Sequence, residues 1–245
     1  MKHLIKFYLL LFPLMIFIIQ CQTSREQKTE FLEAWKKVEP FFSVPREYKD
    51  QYGEFRSLLK FYDGCPVKNK KDWQKRRAEI LTRWHEMMGS WPALITDQDI
   101  EIIDSTRREN FTQYLIMFYW RPNEKYKGYI LVPEGADIKP AVITVYYEPE
   151  TAIGLKGQNR DFAYQLAKRG FITFSIGVGE TNEILYYPTK ENANIQPISM
   201  QAYVAANAWY VLSKFPGVDS TRIGIMGHSY GGKWAMFASC LFDKF

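Results

Sequence analysis

Residues 222–241 constrain the fold of this chain more than any other stretch. A β-prone run, Arg222 to Met226 (RIGIM), leads directly into Gly227-His228-Ser229-Tyr230-Gly231-Gly232, and a segment of small and apolar residues, Lys233 to Leu241 (KWAMFASCL), leads directly out. The pentapeptide G-x-S-x-G arises by chance in many sequences. Strand, turn and helix in this order give it weight, because they form the frame in which a serine is lifted onto a sharp bend. Side chains at 227 and 231 would collide with neighbouring elements, so glycine lets the bend close. Ser229 then stands free at the carboxyl edge of a sheet and is the candidate nucleophile. The outgoing helix aims its first N–H groups at the same place. The plain alternative is a glycine-rich turn with an incidental serine. Lys233, in the first turn of that helix, opposes the helix dipole. It reads as a solvated lysine, or else as a charge kept for an anionic substrate group or an acidic side chain.

Upstream, the hydrophobic period changes twice. Tyr114 to Trp120 (YLIMFYW) and Tyr129 to Val132 (YILV), separated by turn residues, read as a hairpin. Ala141 to Tyr147 (AVITVYY) follows as a strand, then a helix around Phe162 and Leu166 that Gly170 ends, then the strand Phe171 to Ile176. Met200 to Leu212 reads as a helix with Ser199 as its cap. Strands alternating with helices imply a mostly parallel sheet flanked by helices, entered through an antiparallel hairpin. The expected class is α/β, with the sheet domain spanning residues 99–245.

Residues 22–98 read as a polar linker and a helical N-terminal extension. The pattern from Thr29 to Ile95 is helical, with Phe31, Trp35 and Val38 on one face. Trp73, Ile80, Leu81, Trp84, Met87 and Met88 form a second stripe that Gly89 and Pro92 terminate. That stripe calls for burial on the following domain, or else in the groove of a partner protein. The basic run Lys68 to Arg77 reads as a solvated helix face.

Residues 1–21 have the form of an export signal. Lys2 and Lys6 supply a positive start, and Phe7 to Ile19 an apolar stretch that Pro13 interrupts and that is too short to span a bilayer. It ends at Cys21, a candidate lipidation site of the bacterial lipoprotein kind, although Gln20 replaces the small residue such signals prefer. A lipid anchor, a cleaved signal and an uncleaved anchor stay open. All three place the protein outside the cytoplasm, in the periplasm or on a bacterial membrane.

Without Lys2 and Lys6 the 32 basic residues fall to 30 against 27 acidic ones, too mild an excess to argue for nucleic acid. Cys65 and Cys240 show no metal-ligand spacing. Two separate thiols, one in a loop and one packed in a helix, is the simpler reading over a disulfide.

Ser229 needs partners. One donor for a developing oxyanion falls to the backbone N–H of Tyr230, the residue after the serine; the second belongs to the loop after AVITVYY, where the N–H groups of Tyr147 and Glu148 are the candidates. That loop has no HGGG run, and the carboxylates of Glu148 and Glu150 must turn away. The base is harder to place. The only histidines are His3, His85 and His228. The first lies in the signal, the second reads as a surface or packed residue of the helical extension, and the third should project away from its neighbour Ser229. The expectation is an incomplete domain, lacking its acid, its histidine and the last part of its sheet, and inactive alone.

The stretch VDSTRIGIMGHSYGGKWAMFAS resembles the corresponding region of the dienelactone hydrolase and acetyl-xylan-esterase-like branch of the α/β-hydrolases. YKGYILVPEG, KPAVITVYY and DFAYQLAKRGFITFSIG resemble earlier strands and the first crossover of the same group. DWQKRRAEILTRWHEMMGSWP looks like the helical extension of exported members. The resemblance implies an α/β-hydrolase fold and hydrolysis of carboxylic esters through an acyl-serine. The substrate would be a small molecule or acyl groups on carbohydrate, with no metal or organic cofactor. A peptidase of the prolyl-oligopeptidase kind and a non-catalytic surface-binding lipoprotein are the alternatives.

Overall fold

The computed structural model describes residues 28–245 apart from 52, 136, 158, 180 and 181. Cys21 and the export-signal pattern lie outside the described residues. Two compact units are present, one ending at Ser57 and one running from Leu58 to Phe245. In the first, residues 28–38 are helical (α1), 3-10 turns follow at Glu39–Phe42 and Arg46–Tyr48, and Trp35 stacks on Phe42 with ring centroids 5.4 Å apart. The helical pattern expected throughout 29–95 is thus broken between residues 39 and 69, where proline and glycine interrupt it.

The second unit opens with helix α2, Lys70–Met88. Asn69 caps it by accepting the Asp72 N–H at 3.0 Å, and Gly89 ends it at φ 89°. The stripe is buried only in part: Met88 is buried, Trp73, Ile80 and Leu81 are half-buried, and Trp84 and Met87 stay exposed. The basic run is not uniformly solvated. Arg76 lies on the face of Trp73 and Ile80, so its stem is drawn inside, where it is 2% exposed. Its guanidinium sits 4.2 Å over the Tyr62 ring, pairs with Glu79 at 2.6 Å and donates to the Leu58 carbonyl at 3.3 Å. Burial is tolerated because these partners replace water.

A single six-stranded sheet organises the rest: β1 (Glu101–Arg108), β2 (Phe111–Arg121), β3 (Glu124–Pro133), β4 (Lys139–Val145), β5 (Ile172–Ile176) and β6 (Val218–Gly227), in the spatial order β1-β2-β3-β5-β4-β6. The first four in space pair antiparallel; β4 pairs parallel with both β5 and β6. The hairpin β2–β3 turns on Pro122 and Asn123, the latter in the left-handed region at φ 63°. Strand β1 had no apolar signature, and its residues are almost all exposed at the sheet edge.

Helix α4 (Phe162–Lys168) covers one face of the sheet, over Phe111, Tyr129 and Leu131. Helices α5 (Pro197–Ser213) and α6 (Tyr230–Leu241) cover the other, over Ile116, Phe118, Ile130 and Ile143. Neighbours Tyr129, Ile130 and Leu131 thus serve alternate faces, as strand pleating requires. The interior strands read as nearly continuous apolar runs because both faces are covered.

Ser199 is not the cap of α5. Pro197 begins the helix after Gln196, since a proline at the first position loses no hydrogen bond and has its φ pre-set. The Ser199 hydroxyl, one turn inside, instead accepts the Trp91 indole N–H at 2.8 Å. Tyr203 donates to the Ala93 carbonyl at 2.8 Å, and Asn207 accepts from the Ile95 N–H at 2.9 Å while donating to the Trp120 carbonyl at 3.0 Å. These bonds tie the chain leaving α2 to the buried helix.

Candidate active site

Strand β6 ends at Gly227 beside Val145, the last residue of β4, and α6 starts three residues later. Ser229 makes the bend between them with φ 56° and ψ −115°, a conformation that L-residues rarely adopt and that stores local strain. The geometry explains both flanking glycines. A Cβ at Gly227 would lie 2.2 Å from the Gly231 carbonyl oxygen, and one at Gly231 would lie 2.1 Å from the Val145 carbonyl oxygen. The bend therefore closes on itself and on the central strand at backbone distance.

Ser229 is exposed, and its side chain caps nothing on α6. Gly231, Gly232 and Lys233 send their N–H groups back to the carbonyls of His228 and Ser229. The Tyr230 N–H takes no acceptor among the described residues and is left at the helix start. Opposite it runs the loop after β4. Tyr146 N–H donates to the Ile176 carbonyl at 3.3 Å and the Tyr147 carbonyl accepts from Val178 at 3.0 Å, whereas the N–H groups of Tyr147 and Glu148 have no acceptor among the described residues. The Tyr147 and Tyr230 rings stack at 5.5 Å and 21°, which brings the two segments together.

The carboxylates near this loop are occupied elsewhere. Glu150, in the short helix α3 (Pro149–Ala152), pairs with Lys127 of β3 at 2.7 Å and accepts from Tyr129 at 3.3 Å. Burial resists ionisation of Glu150 more than any other single influence. Lys127, a backbone N–H and Lys156 together still hold its carboxyl below the ordinary value. Glu148 accepts the Thr151 hydroxyl at 3.1 Å. Burial also pushes the Tyr230 phenol upward, so that side chain stays protonated.

A residue that sequence reasoning passed over is Gly177. A Cβ there would meet Pro149 Cδ at 2.7 Å, the Tyr147 carbonyl oxygen at 2.8 Å and Glu148 Cα at 2.9 Å. Its signal was a glycine directly after a buried strand, which marks a close backbone approach.

Among the described residues no hydrogen bond joins a histidine to Ser229. His85, on α2, meets Trp91 edge-on at 4.8 Å, and His228 is exposed with its ring 6.2 Å from Tyr146. His3 lies outside the described residues. Lys233 is exposed. Cys65 and Cys240 are free and exposed. Cys240 is therefore not packed as its place in a helix suggested, because it falls on the outward side of α6. Among the described residues, no group of three or more His, Cys, Asp or Glu side chains is placed to hold a metal ion, and no helix is long and apolar enough to cross a membrane.

No protein-family model matches the chain, and no curated protein matches it. Solved structures do. A glucuronoyl esterase from Solibacter usitatus superposes with a TM-score of 0.65 at 17% identity, over 80% of this chain and 63% of that one. A putative acetyl xylan esterase from Bacteroides fragilis gives 0.59 at 17%, over 83% and 61%. A glucuronoyl esterase from Teredinibacter turnerae gives 0.55 at 16%, over 78% and 54%. This likeness establishes the α/β-hydrolase fold, and the chain spans less than two thirds of each of these structures.

Proposed function

We propose that this chain carries the nucleophile and oxyanion-hole half of a serine hydrolase that cleaves carboxylic esters, with acyl groups on carbohydrate as the substrate class. The single observation that carries the reading is the strained bend at Ser229, which holds a free hydroxyl beside N–H groups that have no acceptor. In the proposed reaction, Ser229 Oγ attacks the ester carbonyl as its proton passes to a base. The resulting oxyanion is held by the Tyr230 N–H and by the N–H of Tyr147 or Glu148. Collapse expels the alcohol and leaves an acyl-serine, which water hydrolyses to the acid and free serine. Preorganised donors of this kind contribute about 10²–10³ in rate each.

No histidine hydrogen-bonds to Ser229 among the described residues, so we assign the base to polypeptide outside them. The fold orders its triad as serine, acid, histidine, so the acid and the base would follow Ser229 in that order. Glucuronoyl and acetyl xylan esterases among the structural neighbours support a carbohydrate ester over other acyl substrates. The pattern of Lys2, Lys6, the apolar stretch and Cys21 supports export, with Cys21 as the candidate lipid anchor.

The test is hydrolysis of p-nitrophenyl acetate and of acetylated or glucuronoyl-esterified oligosaccharides by the full-length polypeptide. Turnover that disappears in Ser229→Ala is expected, while the 245-residue polypeptide alone should show none. Serine-dependent cleavage of a peptide bond with no ester turnover would move the assignment to a peptidase. Carbohydrate binding without any turnover would move it to a binding protein.

A further inference from the structure

We propose that the cleft beside the Ser229 bend is a subsite for a carboxylate on the substrate, received by Lys156 and Arg160. This deepens the ester-hydrolase reading and rests on it. The cleft has a volume of about 470 Å³ and is lined by Tyr146, Tyr147, Glu148 and Thr151 together with the exposed Lys156 and Arg160. Its wall is thus the loop that offers the Tyr147 and Glu148 N–H groups, and Tyr147 is shared with the serine bend through its stacked partner Tyr230.

The chain is folded to put those cations there. After α3 the Leu155 N–H returns to the Glu150 carbonyl at 2.9 Å and the Gly154 N–H to the Thr151 carbonyl at 3.0 Å. Gly154 and Gly157, at φ 79° and 74°, then reverse the backbone on either side of Lys156. Neither Lys156 nor Arg160 has an ion-pair partner within 4.0 Å among the described residues, although the Lys156 charge adds to the field that holds Glu150 ionised. The carboxylates in reach are engaged: Glu150 by Lys127 at 2.7 Å, Asp161 by the Gln165 amide at 2.8 Å and Glu148 by the Thr151 hydroxyl at 3.1 Å. With Glu148 counted, the cleft keeps a net positive charge. An arginine and a lysine lining one cleft suit a single carboxylate, which arginine holds bidentately. The carboxylate can belong to the acyl part, as in the monoester of a dicarboxylic acid, or to the alcohol part, as in a uronate.

The experiment uses the full-length polypeptide carrying Ser229→Ala and measures binding of galacturonate, monomethyl succinate and the neutral methyl galactoside by calorimetry. At least one of the two carboxylates should bind more tightly than the neutral sugar, and more weakly as salt is raised. In Lys156→Gln/Arg160→Gln its affinity should fall at least tenfold, with the neutral ligand unaffected. A preference for galacturonate puts the charge on the alcohol side, and one for the succinate ester puts it on the acyl side. Should the double substitution fail to fold, each single substitution should still weaken the carboxylate several-fold. Equal affinity for charged and neutral ligands, or unchanged affinity in the variants, overturns the subsite. With Ser229 restored, intact ester turnover alongside that result condemns the subsite alone, whereas absent turnover with charge-selective binding condemns the hydrolase reading instead.

Discussion

The two segments that meet at the candidate site are built by opposite means. The bend after β6 is written into its own residues: Gly227 and Gly231 are there because a Cβ on either would fall within 2.2 Å of a backbone oxygen or closer. The loop after β4 has no such internal code. Its residues, Tyr146 to Glu148, are large, and the room they occupy is made by Gly177 at the end of the neighbouring strand. One half of the site is therefore local in sequence, and the other is a tertiary consequence.

Substitutions can break each half separately. Gly231→Ala should be the most damaging. Gly231 has no positive φ, so the cost is steric, a methyl driven against the Val145 carbonyl at 2.1 Å. We expect about 3 kcal/mol or loss of folded protein, read by urea denaturation. Gly177→Ala should cost less, about 1–3 kcal/mol, because its contacts begin at 2.7 Å and include the proline ring. It should lower turnover out of proportion to stability by shifting the Tyr147 and Glu148 N–H groups. A cost confined to stability would show that this loop supplies no donor.

Smaller effects sharpen the contrast. Ser229→Gly should be more stable than Ser229→Ala by about 1 kcal/mol, since glycine relieves the strain at φ 56° and alanine does not; equal denaturation midpoints would mean that little strain is stored there. Glu150→Gln tests how the loop is anchored. Its carboxyl is held below the ordinary value of 4.5 in the folded state. The Glu150–Lys127 pair therefore contributes above that value and is lost as pH falls through the folded pKa. The substitution should flatten the acid limb of the stability curve below about pH 4.5 and leave the alkaline side with a small uniform loss.

The same division decides what could be read in advance. Strands β2 to β6 were legible because coverage on both faces makes them apolar runs. Strand β1, with the sequence EIIDSTRR, lies exposed on the edge and carries no periodicity to detect. The bend at Ser229 was legible from glycine spacing. The place of Gly177 after a buried strand was visible, but what it makes room for was not, because that is the loop after β4, about 30 residues earlier in the chain. Arg76 reads as solvated in the sequence because Leu58 and Tyr62, which receive its guanidinium beside Glu79, lie in an earlier segment of the chain. Ser199 was misplaced as a cap because Pro197 had already fixed the helix start.

Covalent labelling of the full-length polypeptide with a fluorophosphonate, followed by peptide mass spectrometry, tests the central claim most directly. The account predicts a single adduct on Ser229, lost in Ser229→Ala. A fully folded protein with Ser229 unmodified would contradict it.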